Sequence, residues 1–144
     1  YEHTGYFNHK YIPRAGATAA QGELNYEMNY RAIRYADVLL MAAEANNRKT
    51  SPDDVKAQNY LNQVRARAFG NSSQASSSTG VTLTQEIWDE RRLELALEGH
   101  HFFDLVRTGE AATKISGFVT GKHEVFPIPQ TEIDISGLTQ NSGY

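Results

Sequence analysis

The chain has 144 residues, a formal net charge of −3 at pH 7 and no cysteine. That length supports one domain with a sizeable core, and the acidic balance excludes a nucleic-acid surface because no basic stripe exists to displace counterions. The missing thiols exclude disulfides, thiolate catalysts and cysteine metal sites, and no run of about 18 apolar residues has the pattern of a membrane-spanning helix.

Residues 1–32 predict an extended and looping lead-in. Tyr1, Tyr6, Phe7, Tyr11 and Ile12 lie among His3, Gly5, Asn8, His9 and Lys10, followed by a loop over Pro13–Gly22. A segment this aromatic needs something to pack on.

A helical core is expected over residues 33–109. Arg34–Asn47, RYADVLLMAAEANN, forms its first helix, and Val38–Ala43 leaves almost no polar face, which predicts burial between layers. Asp37 and Glu44 are seven apart and share a face, so structural pairing with Arg34 or another arginine is expected. Ser51-Pro52-Asp53-Asp54 starts a second helix, with a hydroxyl cap, a proline at the first position and acids in the first turn. It runs to about Phe69 and ends at Gly70-Asn71. Ala57, Leu61 and Val64 fall on one face, with Tyr60 and Ala68 beside them. The two helices make an antiparallel hairpin whose apolar spacing is that of a tetratricopeptide-repeat second helix. Asn71–Gly80, NSSQASSSTG, is a polar low-complexity loop, expected to be mobile.

The central stretch is Glu86–Arg107, EIWDERRLELALEGHHFFDLVR. Thr82 and Gln85 have capping-box spacing, so a long central helix is expected from there to Glu98. Gly99 then suits a bend, and His101–Arg107 forms a second piece stopped by Gly109. Trp88, Leu95 and Phe102 line one side, and Leu93, Ala96 and Leu97 cover much of the rest, which predicts burial. Glu90, Glu94 and Glu98 form an acid ladder whose like charges repel by about 0.2–0.5 kcal/mol per pair. Buried, these acids need partners. The expected structural ion network comprises Glu90, Arg91, Glu94, Glu98, His101, Asp104 and Arg107. Arg91 can reach Glu94 and His101 can reach Glu98, while Arg34, Arg65, Arg67 and Arg107 are the further donors. Residues 110–144 predict a loop-rich tail with a short helix over Glu110–Ser116 and a strand-like run, KHEVFPI, kept to an edge or isolated by Pro127 and Pro129. The fold class is therefore mostly α: a tetratricopeptide-like helical hairpin and a long central helix, with extended loops and little sheet.

No enzyme chemistry emerges. Glu98-x-x-His101 is a single unit of the kind dimetal bundles need twice, and no HExxH helix occurs, so no metal and no cofactor are expected. Neither a GxSxG elbow nor a phosphate loop is present. Carboxylate pairs of the glycosidase kind are available, but nothing singles one out.

ERRLELALEGHHFFDLVRTG resembles the signature of the SusD/RagB family, departing from it at His101, where arginine is more usual. GYFNHKYIP, IRYADVLLMAAEA, YLNQVRARA and the closing PIPQTEIDISGLTQNSGY resemble further family segments in the same order. The resemblance implies that residues 1–144 form a single domain, the C-terminal region of a longer protein. It also implies a surface lipoprotein of the outer membrane, held by a lipid anchor outside these residues. Such a protein binds glycans or other nutrients for a partner TonB-dependent, SusC-like transporter, without bond breaking. Sugars in this family meet aromatic platforms, for which Tyr6, Phe7 and Tyr11 are the candidates here. Two alternatives stand beside this: a tetratricopeptide-like module that binds peptides, and a hydrolase with paired carboxylates.

Overall fold

A computed structural model describes Gly5, residues 8–12 and residues 29–144. The chain divides into two compact units, Tyr1–Leu97 and Glu98–Tyr144. That boundary falls inside the 33–109 stretch taken from sequence as one helical core of a single domain.

The first unit holds helices α1 (Tyr35–Arg48), α2 (Asp54–Phe69) and α3 (Gly80–Glu94). The Asp53 side chain caps α2 by accepting the Lys56 N–H at 3.0 Å, and Gly70 ends it with φ 71°, a left-handed conformation that costs glycine little. Ala57, Leu61 and Val64 are sealed from solvent and pack with Leu39, Leu40 and Ala43 of α1 and Leu83 and Ile87 of α3. Fully burying each leucine, isoleucine or valine there contributes about 1.5–3 kcal/mol. The apolar run of α1 is not buried all round, however: Val38 is 43% and Met41 47% exposed. Both neighbours lie on one arc of α1, so the opposite arc keeps its apolar residues in solvent.

Two expectations about α3 are corrected. The helix starts at Gly80, not at the Thr82 capping box, and Thr79 makes no side-chain cap bond. It ends at Glu94, not Glu98. Residues 95–99 form turns in which Leu97 takes φ 65° and Gly99 φ 84°. The acid ladder is thus cut before Glu98, and Trp88, Leu95 and Phe102 share no helix face. Leu93 and Leu97, expected to be buried, are both more than two-thirds exposed.

The 71–80 segment is also not the loose loop expected. Asn62 of α2 accepts the Ser76 N–H at 2.7 Å and donates to the Ser76 carbonyl at 3.0 Å. Gln58 donates to the Ser78 carbonyl at 2.8 Å, and the Gly80 N–H donates to Asp54 at 2.8 Å. The polar face of α2 supplies the backbone partners that a serine-rich segment cannot supply for itself.

The second unit holds α4 (His101–Thr108), α5 (Ala111–Lys114) and α6 (Gln130–Ser136). Gly109, at φ 77°, closes α4. No strand occurs among the described residues. The 122–128 run begins in turns and then extends without a partner strand. Side-chain amides take that role: the Ile128 N–H donates to Gln140 Oε1 at 2.8 Å, and Gln140 Nε2 donates to the Ile128 carbonyl at 2.9 Å. Asn141 Nδ2 donates to the Phe126 carbonyl at 2.6 Å, and the Tyr144 hydroxyl to that of Val125 at 3.0 Å.

Candidate functional site

The charged residues of α3 meet partners from α1 and α2. Arg91 Nη1 donates to Asp37 Oδ1 at 2.7 Å, and both side chains are buried. Arg91 therefore serves α1 and not its helical neighbour Glu94. The Glu94 carboxylate instead accepts from Arg34 at 2.7 Å and Arg67 at 2.6 Å. Burial pushes the Glu94 carboxyl up, but hydrogen bonds and charge from Arg67 and Arg34 outweigh it and hold it below the ordinary range. Lys10 Nζ at 2.6 Å and Arg34 Nη2 at 2.9 Å also donate to the Glu94 carbonyl, placing cations on the free carbonyls at the end of α3. Arg65 bridges Glu90 at 2.9 Å and Glu86 at 3.0 Å. Glu44 pairs with Arg48 along α1 at 2.6 Å. In the second unit Arg107 pairs with Asp104 at 2.8 Å, Glu98 is buried and His101 is exposed, with no His101–Glu98 pair.

This network holds helices together. Asp54, Glu86, Glu94 and Glu124 are each shifted down, whereas a glycosidase-type general acid needs a raised carboxyl pKa, so none of these four has that character. For Glu86, burial pushes upward, but hydrogen bonds from Ser78 and Ser76 and the Arg65 charge prevail. The Asp54 shift comes from the Asn47 amide and the Gly80 N–H. Among the described residues no three His, Asp or Glu side chains converge as metal ligands would, and no helix is long and apolar enough to cross a membrane.

Of the aromatic candidates, Tyr6 and Phe7 lie outside the described residues. Tyr11 is half-buried and stacked on Tyr30 at 5.8 Å between centroids, with the Arg31 guanidinium 5.6 Å from its ring. Tyr30 is 68% exposed. Two concave surfaces lie among the described residues. A groove of about 570 Å³ is lined by Arg34, Tyr35 and Leu39 on the α1 side and by Val64 and Arg67 of α2. In the second unit a cleft of about 420 Å³ is lined by Phe102, Phe118, His123, Phe126 and Tyr144. The sequence held no signal for this cleft, because its rings are scattered over residues 102–144 without a period.

Comparison with known proteins agrees with this arrangement. The SusD family model matches residues 1–125. SusD-like protein P25 of Formosa agariphila is 31% identical over 137 residues, covering 83% of this chain and 26% of that protein. SusD-like protein P2 of the same organism is 34% identical over 126 residues, covering 83% and 24%. Among solved structures, surface glycan-binding protein A from Bacteroides thetaiotaomicron, in complex with laminarihexaose, is similar at a TM-score of 0.66 and 35% identity, covering 81% of this chain and 26% of that one. The chain thus spans about a quarter of the length of these relatives. With a family match over most of its length and the mostly α architecture of such a protein, this chain belongs to the SusD family.

Proposed function

We propose that this chain is part of a cell-surface, outer-membrane lipoprotein that binds glycans or other nutrients and delivers them to a partner TonB-dependent, SusC-like transporter. The carrying observation is the family match, sharpened by similarity to a glycan-binding protein solved with an oligosaccharide. Binding without bond breaking fits Asp54, Glu86, Glu94 and Glu124, whose carboxyls are held below the ordinary range. The glycan-binding relative also favours a sugar over a peptide as ligand. Tyr6, Phe7 and Tyr11 remain the proposed sugar contacts of the first unit, and Tyr30 joins them as the exposed partner of Tyr11.

Deletion of the gene in the organism that carries it is the test. Growth on at least one polysaccharide as sole carbon source should be lost, and the tagged protein should co-purify with an outer-membrane transporter. Unchanged growth on every glycan tested, with no transporter recovered, would overturn the proposal.

A further inference from the structure

The cleft of the second unit is built differently from the ionic first unit, and its chemistry suits one class of ligand. We propose that the cleft between Phe102, Phe118, His123, Phe126 and Tyr144 is a subsite for one or two rings of a neutral glycan. This rests on the glycan-binding reading and assigns part of that binding to residues 98–144.

Size comes first. At about 420 Å³ the cleft lies within the span of small-molecule sites, which run from about 300 to 1,000 Å³. Its walls are aromatic. Phe102 and Phe118 lie 6.5 Å apart at 53°, and Phe118 meets His123 edge-on at 5.7 Å. Phe126 leaves 77% of its surface exposed. Open aromatic faces are poorly hydrated and gain from an apolar partner. A pyranose ring offers such a face through its C–H groups, and hydroxyls at its edge.

The polar groups at the cleft match those hydroxyls. The Val119 N–H donates to His123 Nδ1 at 2.9 Å, which places the neutral ring's proton on Nε2 and makes that nitrogen the donor left for a ligand. The Tyr144 hydroxyl spends its proton on the Val125 carbonyl, so its lone pairs accept. The Ser116 hydroxyl lies in the same lining. Apart from His123, no acidic or basic side chain lines the cleft, and Lys122 Nζ sits 4.7 Å from the Tyr144 ring centroid, held by the ring's π face. An uncharged ligand fits this balance better than a uronic acid or a peptide terminus. The wall is also set before binding: Gln140, Asn141 and Tyr144 tie the backbone from Val125 to Ile128, which limits the ordering cost on association.

The test is an NMR titration of the 144-residue chain with laminarihexaose, maltohexaose and xylohexaose, followed by amide shifts. At least one sugar should move the Val119 and His123 amides saturably, with Kd of about 1 mM. Phe126→Ala removes an exposed ring without touching the core, and it should weaken that binding at least about fivefold, the mark of a contact residue. An unchanged Kd in Phe126→Ala overturns the assignment, as does an equal response to cyclohexanol, which would mark a merely apolar pocket. Shifts confined to residues 8–97 would also refute it while leaving glycan binding by the protein intact. No shift with any of the three sugars refutes the subsite, whereas the gene deletion decides the wider function separately.

Discussion

Removing the arginine of the Asp37–Arg91 pair should be among the most damaging single changes in the first unit. The pair closes at 2.7 Å with side chains 7% and 6% exposed, so water does not screen it. Arg91→Met keeps most of the side chain's bulk but leaves the Asp37 carboxylate buried beside α3 without its cation. Breaking a buried pair from one side costs about 3–5 kcal/mol, a large share of the roughly 5–15 kcal/mol that holds a typical domain folded. For a unit of this size that corresponds to a fall of about 12–40 °C in Tm. Lys49–Asp53 provides the control, because it spans 3.9 Å with both side chains more than two-fifths exposed. Lys49→Met should therefore change stability by no more than about 0.5 kcal/mol. The double variant Asp37→Leu, Arg91→Met removes both charges and should recover most of the loss, since apolar replacements of buried pairs are often neutral or stabilising. Urea denaturation of all three, with thermal melts, reads these differences. An Arg91→Met protein within about 1 kcal/mol of the parent would refute the reasoning. So would a double variant as unstable as the single one, because the cost would then lie in packing and not in charge.

Glu94 gives the pH dependence. Its folded pKa lies below the unfolded value near 4.5, so its contribution is present above that value and lost as pH falls through the folded one. Tm should stay level from about pH 7 to 5 and drop below about 4.5, less steeply in Arg67→Met; a Tm that rises on acidification contradicts the sign. Leu97 sits at φ 65° with 72% of its surface exposed, so Leu97→Asn should relieve backbone strain at little loss of burial and stabilise by about 0.5–1 kcal/mol. A lower urea midpoint for that variant would show that the exposed leucine packs in solution. Asn62→Ala removes two hydrogen bonds to Ser76, which should cost about 1–3 kcal/mol and speed exchange of the Ser76 amide. Unaltered exchange there would mean that the 71–80 segment does not depend on α2.

Local chemistry was legible from the residues. The Pro52-Asp53 start and Gly70 end of α2, the buried Ala57, Leu61 and Val64 stripe, and the Gly109 stop of α4 all act within a few positions, so spacing alone reveals them. The family signature was legible for the same reason, being a contiguous string. What the sequence could not decide is anything that depends on which surfaces meet. Glu94 had Arg91 three residues away, yet it pairs with Arg34 just before α1 and Arg67 of α2, because α1 presents Asp37 to Arg91 across 54 positions. Periodicity made Val38, Leu93 and Leu97 look like core, but burial is set by how much of a helix its neighbours cover. The serine-rich segment looked unstructured because its partners, Gln58 and Asn62, lie on the polar face of another element. The aromatic cleft, likewise, exists only once α4, the 115–126 turns and the tail are folded together. Helix propensity, caps and stripes belong to the chain. The choice of ionic partner, the exposure of an apolar residue and the gathering of scattered rings into a concave surface belong to the tertiary structure, since each depends on distances in space that no sequence separation encodes.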